Sequence, residues 1–212
     1  MKPPVIVIGA GGHAKVLIDA LLLTGRDVMG IVDTDASRYG ATVLGVPVVG
    51  DDGMVFTHPP ASVELVNGLG SVKSTVPRAE IYDRFKQAGY AFASVIHPAA
   101  TVAPDVRLAE GVQIMAGAVI QTGSAIGVNT IINTRASIDH DCRIGDHVHI
   151  APGAVLSGSV KVGANVHVGT GAVIIQRINV GEASAVAAGA AVVRDVPAGA
   201  IVKGVPGKAV KN

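Results

Sequence analysis

Residues 131–156 read IINTRASIDHDCRIGDHVHIAPGAVL, and an aliphatic residue recurs at every sixth position of this stretch. The same spacing runs without exception from Ile96 to Val192. A period of six is a multiple of the two-residue alternation of a β-strand and does not match the 3.6-residue turn of an α-helix. Short strands joined by bends every six residues make a flat-sided coil. The pattern therefore predicts a parallel β-helix whose stacked hexads bury one continuous core.

Glycine often directly follows the aliphatic residue of a hexad, and we expect these glycines to form the bends because glycine tolerates positive φ. They are Gly127, Gly145, Gly163, Gly169 and Gly181. The single cysteine, Cys142, falls on an inward position of its hexad. It is expected to be a buried apolar group and not a nucleophile.

The first ninety residues follow a different pattern. A β-branched run over 5–8 ends in the loop GAGGHA, which spans 9–14; a helical pattern follows, and a second apolar run ends at Asp33. The spacing G-x-G-x-x-A with an acidic residue after the second strand is the Rossmann fingerprint in its strand–turn–helix context. A later run over 64–67 predicts a further strand, and Pro77 to Ala88 a helix with proline in its first turn.

These patterns divide the chain into three parts. We expect an α/β, Rossmann-like half-domain over 1–93, a parallel β-helix of hexapeptide repeats over 94–196 and a C-terminal cap over 197–212. The net charge is only +1, so the composition does not indicate binding to nucleic acid or to an anionic membrane. The sequence has neither a signal-peptide pattern nor an apolar run of membrane-spanning length, so a cytoplasmic protein without membrane insertion is expected.

The glycine-rich loop is compatible with more than one ligand. The fingerprint alone indicates NAD or FAD, but a helix N-terminus lined with glycines binds phosphate whatever group carries it. Ninety residues hold only half of a dinucleotide fold, and no dehydrogenase substrate domain follows. A nucleotide sugar is therefore favoured over a dinucleotide, while a purely structural tight turn remains an alternative.

A small Rossmann-like domain with the loop G-x-G-G-H-A-K-V, fused directly to a hexad array, resembles the bacterial nucleotide-sugar acetyltransferases of the hexapeptide-repeat superfamily. The likeness runs from Val5 to Lys208. That family includes the N-acetyltransferases of GDP-perosamine and of UDP-4-amino sugars and the sialic acid O-acetyltransferases. The resemblance implies a left-handed β-helix with three hexads per coil and acetyl-CoA as co-substrate. It also implies a homotrimer with active sites between subunits and a role in the biosynthesis of surface glycans such as lipopolysaccharide.

The segment HDCRIG at 140–145, followed by a histidine nine residues after the first, matches the catalytic motif of this family. The resemblance implies that His140 is the general base, that Asp141 raises its basicity and that no metal takes part. A histidine that titrates near neutrality suits a base for an attacking amine. The residues that the resemblance places on acetyl-CoA are His149, Gly158, Thr170 and Ala188. Those that it places on the sugar nucleotide are Gly11, Gly12, His13, Asp33, Thr34 and Gly70.

Spacing also constrains the histidines once the coils are triangular. His149 and His167 each precede an inward residue and are separated by three hexads, which is one full coil, so they should stack on the outside of one face. His140 points outward as well, but it lies half a coil from His149 and therefore on a different face. The two could share a site only if different subunits contribute them. Near the C-terminus, Lys203 or Lys208 is a candidate partner for the phosphates of CoA.

The predicted reaction is the transfer of acetyl from acetyl-CoA to the amino group of a nucleotide-linked deoxysugar. Acetylation of a sugar hydroxyl is the enzymatic alternative. Two alternatives of another class are a β-helix that serves only as a scaffold and a metal protein resembling the γ-carbonic anhydrases, because stacked histidines can bind zinc.

Overall fold

A computed structural model describes residues 2–71 and 74–210, which form a small α/β domain followed by a triangular prism. Strands and helices are numbered in chain order. The elements of the first domain are β1 (Val5–Ile8), α1 (Gly12–Leu23), β2 (Val28–Val32), β3 (Thr42–Val43), β4 (Val46–Gly50), β5 (Glu64–Asn67), α2 (Val76–Gln87) and β6 (Ala91–Phe92), with short 3₁₀ turns at Ala36–Arg38, Asp52–Thr57 and Pro60–Ser62.

The first domain is one sheet with the strand order β3-β4-β2-β1-β5-β6, parallel throughout except for the β3–β4 pair. The helix α1 packs on this sheet through Ala14, Leu17 and Leu21, which are buried. The predicted strand at 64–67 is found as predicted. The predicted second helix is found one residue earlier at each end.

The prism has three sheets as its faces, which are parallel except for the last pair of strands, near the C-terminus. Within residues 95–192 each strand pairs with the strand three hexads further along the chain, so that three hexads make one coil. The docked face lies against the first domain, and it consists of β7 (Val95–Ile96), β10 (Gln113–Ile114), β13 (Ile131–Ile132), β16 (His149–Ile150), β19 (His167–Val168), β22 (Ala185–Val186), β24 (Ile201–Lys203) and β25 (Lys208–Val210).

The other two faces differ in the residues that they point outward. The apolar face consists of β8 (Thr101–Val102), β11 (Val119–Ile120), β14 (Ser137–Ile138), β17 (Val155–Leu156), β20 (Val173–Ile174) and β23 (Ala191–Val192). The basic face consists of β9 (Arg107–Leu108), β12 (Ala125–Ile126), β15 (Arg143–Ile144), β18 (Lys161–Val162) and β21 (Asn179–Val180).

The core of the prism is the column of aliphatic side chains that the period predicts. Ile132, Ile138 and Ile150 are fully buried, and so is the inward Cys142. Burying such a side chain contributes about 1.5–3 kcal/mol. Ile96 is 40% exposed because it belongs to the first coil, beneath which no further coil stacks.

The bends differ from the expectation drawn from the glycines. Every sixth residue from Gly111 to Gly189 has positive φ, and Asp141 with φ 59° is one of these residues. The glycines that follow the aliphatic residues are not among them, so the reason we predicted for them is wrong. Their role is close approach: a Cβ on Gly163 would lie 2.6 Å from the backbone nitrogen of Glu182 in the next coil.

Three corners join the faces of each coil. In the coil that holds β13 to β16, the first corner (133–136) joins the docked and apolar faces, the second corner (139–142) joins the apolar and basic faces, and the third corner (145–148) leads back to the docked face. Because the coils stack in register, residues separated by one coil lie above one another at the same corner.

The first predicted domain limit, between residues 93 and 94, lies in the connection between the two sheets. β6 ends at Phe92 and β7 begins at Val95. In the described part of the predicted cap, β24 pairs in parallel with β22 and thus extends the docked face, and β25 folds back on β24 in the antiparallel sense. Lys203 and Lys208 lie directly opposite each other in that pair. Residues 211 and 212 of the predicted cap lie outside the described residues.

Candidate active site

A cavity of about 720 Å³ lies between the first domain and the first corner of the prism. This volume is within the range of small-ligand sites. All six residues predicted to hold a sugar nucleotide line it, together with the predicted acetyl-CoA contact His149. The prism also contributes Asn133, Thr134 and Pro152. The structure therefore brings these predicted residues together in one place.

The glycine-rich loop presents backbone N–H groups to this cavity. Gly11 caps α1, and the first intrahelical bond of this end runs from Lys15 N–H to the Gly11 carbonyl, so the N–H groups of the preceding turn are directed outward. A Cβ on Gly11 or Gly12 would meet no atom within 4 Å, so the space beside the loop is open. Such a loop at a helix N-terminus can accept a diphosphate.

Asp33 supports the loop from the end of β2. One carboxylate oxygen accepts a hydrogen bond from the Ala10 N–H at 2.6 Å, and the other accepts one from the Asp35 N–H at 2.8 Å. Both oxygens are thus engaged with backbone, although Asp33 and the adjacent Thr34 line the cavity. Asp33 therefore shapes the loop as well as bordering the site.

His13 connects the loop to the prism. Its Nε2 lies 2.7 Å from Oε1 of Gln113, while the amide nitrogen of Gln113 donates to the Asn67 carbonyl. This orientation of the Gln113 amide makes His13 the donor at Nε2. Burial, together with the nearby Arg78 guanidinium, lowers the pKa of His13 to about 4. The ring is thus neutral near pH 7 and anchors the loop to the docked face.

His149 points outward from the prism, as predicted, yet it is only 5% exposed because the first domain covers it. Its Nδ1 lies 2.6 Å from the Ser71 hydroxyl oxygen, and its Nε2 lies 3.0 Å from the amide nitrogen of Asn133. The Asn133 oxygen accepts from the Thr134 N–H, so the amide nitrogen faces the ring and Nε2 of His149 is the acceptor.

Burial is the main reason why the pKa of His149 falls to about 3, and the neighbouring histidines lower it further. The predicted stacking with His167 is observed, since β16 and β19 pair these residues and their ring centroids lie 5.0 Å apart. Both ring nitrogens of His149 are engaged, so it forms part of the cavity wall as a neutral side chain. Its predicted contact with acetyl-CoA stays a prediction.

Arg78 of α2 is a buried cation at the junction of the two domains, and no motif in the sequence indicates this burial. It donates hydrogen bonds to the carbonyl oxygens of Asn67, Leu69 and Asn129. Burial lowers its pKa to about 9. Because these acceptors belong to the end of β5, to the loop after it and to a corner of the prism, Arg78 holds the cavity-lining glycines of that loop against the prism.

His140 and Asp141 lie on the second corner, which contributes no residue to the cavity wall. His140 Nδ1 and Asp141 Oδ2 are 2.8 Å apart, and both side chains are about half exposed. A carboxylate can only accept, so Nδ1 carries the proton and Nε2 has the free lone pair. The hydrogen bond to Asp141 is the main cause that raises the pKa of His140. The pair has the chemistry of a general base.

The remaining residues predicted to contact acetyl-CoA are divided between two corners. Gly158 lies one coil above His140, and a Cβ there would lie 2.5 Å from Nε2 of that ring. Thr170 and Ala188 are exposed on the first corner, where they continue the column that Pro152 begins at the cavity. These three residues therefore lie at the two corners that border the apolar face.

The structure also bears on the alternatives of another class. Within residues 2–71 and 74–210, no group of three or more His, Cys, Asp or Glu side chains is arranged to hold a metal ion. Neither helix in this part of the chain has the length and apolar character needed to cross a bilayer. A groove of about 630 Å³ on the basic face contains none of the predicted site residues.

Known proteins match both parts of the chain. The family described as PglD N-terminal domain matches residues 4–85, and the bacterial transferase hexapeptide family (six repeats) matches residues 123–158. A perosamine N-acetyltransferase from Caulobacter crescentus, solved with CoA and GDP-perosamine, is 40% identical, with a TM-score of 0.92 over 100% of this chain and 99% of that chain. The chain belongs to the hexapeptide-repeat nucleotide-sugar N-acetyltransferases.

A second solved structure agrees with this assignment. The acetyltransferase domain of PglB from Neisseria gonorrhoeae, solved with acetyl coenzyme A, is 36% identical, with a TM-score of 0.91 over 99% of this chain and 100% of that domain. WeeI from Acinetobacter baumannii is 25% identical, with a TM-score of 0.79 over 99% of this chain and 100% of that chain. The predicted fold class, the left-handed β-helix included, and the predicted acetyl-CoA-dependent acetyltransferase activity are confirmed.

Several residues of the cavity wall have no signal in the sequence. Ser71 and Asn133 belong to this wall, and Gln113 supports it by bonding to His13; all three come from segments that are distant in the chain. The 18-residue length of a coil does offer one signal. Asn133 and Thr134 precede Ala151 and Pro152 by one coil, so the sequence predicts that these residues lie above one another at the same corner. Ser71 follows a glycine-rich loop whose docking on the prism no local pattern indicates.

Proposed function

We propose that this protein transfers the acetyl group of acetyl-CoA to the amino group of a nucleotide-linked amino-deoxysugar, of the GDP-perosamine or UDP-4-amino sugar type. The observation that carries the proposal is the combination of a cavity that suits a nucleotide sugar with an exposed His–Asp pair one corner away. The relatives solved with CoA and GDP-perosamine support it.

In the proposed reaction the sugar amine attacks the thioester carbonyl of acetyl-CoA. The new C–N bond forms as His140 Nε2 takes a proton from the amine, and the C–S bond then breaks. The thiolate of CoA leaves and receives the proton, so that His140 returns to its neutral form. Asp141 holds the proton on Nδ1 of His140 and thereby leaves Nε2 available. No covalent enzyme intermediate is needed, in keeping with the buried Cys142.

We also propose that the protein is a homotrimer and that each site is formed by two subunits. The cavity opens at the first corner, whereas His140 lies at the second corner, and the full width of the apolar face separates them in one chain. Val155 and Val173 are 40% and 42% exposed on that face. Contiguous exposed apolar surface is typical of an interface. Packing of apolar faces around a threefold axis would bring the second corner of one chain to the first corner of its neighbour.

The setting of the proposed reaction follows from its substrates. Acetyl-CoA is available in the cytoplasm, and an acetylated nucleotide sugar is an activated building block for a surface glycan. The expected partners are therefore small molecules and further copies of this chain.

The proposal is tested by incubating the purified protein with acetyl-CoA and a panel of GDP- and UDP-linked 4-amino-deoxysugars, alongside the same sugars with a hydroxyl in place of the amine. Release of the CoA thiol and a product heavier by one acetyl group are expected for an amino sugar. Substitution of His140→Ala should lower kcat by about 10²–10⁴, whereas His58→Ala, a histidine outside both halves of the site, serves as the matched control. Acetylation of only the hydroxyl sugars, or normal turnover by His140→Ala, would contradict the proposal.

A further inference from the structure

The His140–Asp141 pair is supported from the coil beneath it. Asp141 stands one coil after Gly123, so the two occupy the same column of the second corner. The Asp141 N–H donates to the carbonyl of Thr122, which fixes the height of the upper turn above the lower one. The space beside the Asp141 carboxylate is therefore bounded by the backbone of Gly123.

A side chain at position 123 would enter that space. A Cβ on Gly123 would lie 2.5 Å from Oδ1 and 3.4 Å from Cγ of Asp141. The shorter of these distances is well below van der Waals contact, so either the backbone at position 123 or the Asp141 carboxylate must move. The contacted atoms belong to the end of an exposed side chain, so the Asp141 carboxylate can rotate away at small cost in stability.

The backbone of Gly123 is held on both sides and cannot move away instead. Its N–H donates to the Asp105 carboxylate at 2.8 Å, and that carboxylate also accepts from the Thr122 hydroxyl. Its carbonyl accepts a hydrogen bond from the Arg143 guanidinium at 2.5 Å. The turn at 122–123 is thus fixed from the coil below and from the basic face.

We propose that Gly123 is a positioning residue for acetyl transfer: the absence of a side chain there leaves the room in which the Asp141 carboxylate bonds to His140 Nδ1. This inference rests on the proposed function, in which His140 is the base. It assigns to Gly123 a role that depends on steric space and not only on its positive φ of 73°.

The test compares Gly123→Ala with Gly199→Ala. Gly199 occupies the same place in a turn at the third corner, has φ 69°, and a Cβ there would meet no atom within 4 Å. The two variants thus carry the same backbone cost, of about 1–2 kcal/mol. We expect Gly123→Ala to lower kcat about tenfold, a part of the 10²–10⁴ that a general base supplies, with both KM values unchanged. Gly199→Ala should keep the kcat of the wild type.

The pH profile provides a readout that a loss of stability would not change. The charged groups nearest to His140 are Asp139 and Asp141 in its own turn; Thr122 below and Gly158 above are uncharged, and Arg143 is bound to the Gly123 carbonyl. Asp141 raises the pKa of His140, and the base must be neutral to act. Loss of the hydrogen bond therefore lowers that pKa and moves the acid limb of kcat/KM to lower pH in Gly123→Ala, but not in Gly199→Ala.

A double-mutant cycle that combines Gly123→Ala with Asp141→Asn tests this inference separately from the proposed function. If Gly123 acts through Asp141, Gly123→Ala should cause no further loss of kcat in an Asp141→Asn background. Additive losses, or a Gly123→Ala variant equal to the wild type while Asp141→Asn is impaired, would overturn the inference and leave the proposed function standing. Normal turnover by both Asp141→Asn and His140→Ala would instead overturn the proposed function.

Gly123→Asn adds the same Cβ with a residue better suited to positive φ, so it repeats the test should the alanine variant fold poorly.

Discussion

Sharing of each active site between two subunits leads to a quantitative complementation experiment. One variant, His140→Ala, removes the base but keeps the cavity. The other, Gly11→Asp, adds a carboxylate where the structure leaves open space beside the glycine-rich loop, so it should fold normally and repel the diphosphate of the substrate. Each variant alone is expected to be nearly inactive at low concentrations of sugar nucleotide.

The expected recovery follows from the geometry of a closed ring of three chains. Each site combines the cavity of one chain with the His–Asp pair of the next. In a mixed trimer of either composition, one of the three interfaces joins an intact cavity to an intact pair. Mixed trimers should therefore recover about one third of the wild-type activity.

The assay uses co-expression of the two variants with different affinity tags and purification through both tags, which leaves only mixed trimers. Native mass spectrometry confirms their composition, and CoA release measures their activity. A pair of differently tagged His140→Ala chains, treated in the same way, is the control and should stay at the residual level. Mixed trimers that stay at that level would show that each site lies within one chain, and a fully active monomer would refute the proposed assembly altogether.

Two further predictions concern the prism. Gly163→Ala should lower the free energy of unfolding by about 1–3 kcal/mol, because the added Cβ would meet the backbone of the next coil at Glu182. Gly171→Ala should cost less, although Gly171 has positive φ, because a Cβ there would meet no atom within 4 Å. Equal shifts of the two variants in chemical denaturation would contradict this account of the bends. Val173→Glu on the apolar face should dissociate the trimer, as measured by analytical ultracentrifugation, and abolish turnover. Lys161→Glu on the basic face is the control and should do neither. An intact trimer with Val173→Glu would place the interface elsewhere.

The architecture of the prism could be predicted from the sequence because its information is local and repeated. A period of six positions every inward residue from Val102 to Val192, and the structure buries them as expected, apart from the partly exposed first coils. The glycine loop and the acid at the end of β2 were also recognisable, because their spacing reflects one strand–turn–helix unit. The motif at 140–145 was recognisable through its resemblance to a family, and the structure places His140 and Asp141 in hydrogen-bond contact.

The burial and charge state of the residues where the two domains meet could not be predicted in this way. His149 has the sequence environment of a solvated surface residue, and it becomes neutral and buried only because Ser71 closes over it from the other domain. Likewise, Arg78 looks like an ordinary residue of a helix, and only the docking of α2 against Asn129 makes it a buried cation. Docking of two domains depends on the shape and polar matching of whole surfaces, and no short stretch of sequence encodes it.

The repeat and the phosphate loop follow from the sequence, since each depends on neighbours along the chain or on the fixed offset of one coil. The types of the reacting groups follow from the resemblance of 140–145 to a family motif. Which of these groups lie together depends on the tertiary structure. It grouped His13 and His149 in one cavity and placed the His140–Asp141 pair across the apolar face from it. The separation of His140 from His149 already follows from their half-coil spacing, whereas His13 and His149 meet because two surfaces that are distant in the chain dock on each other.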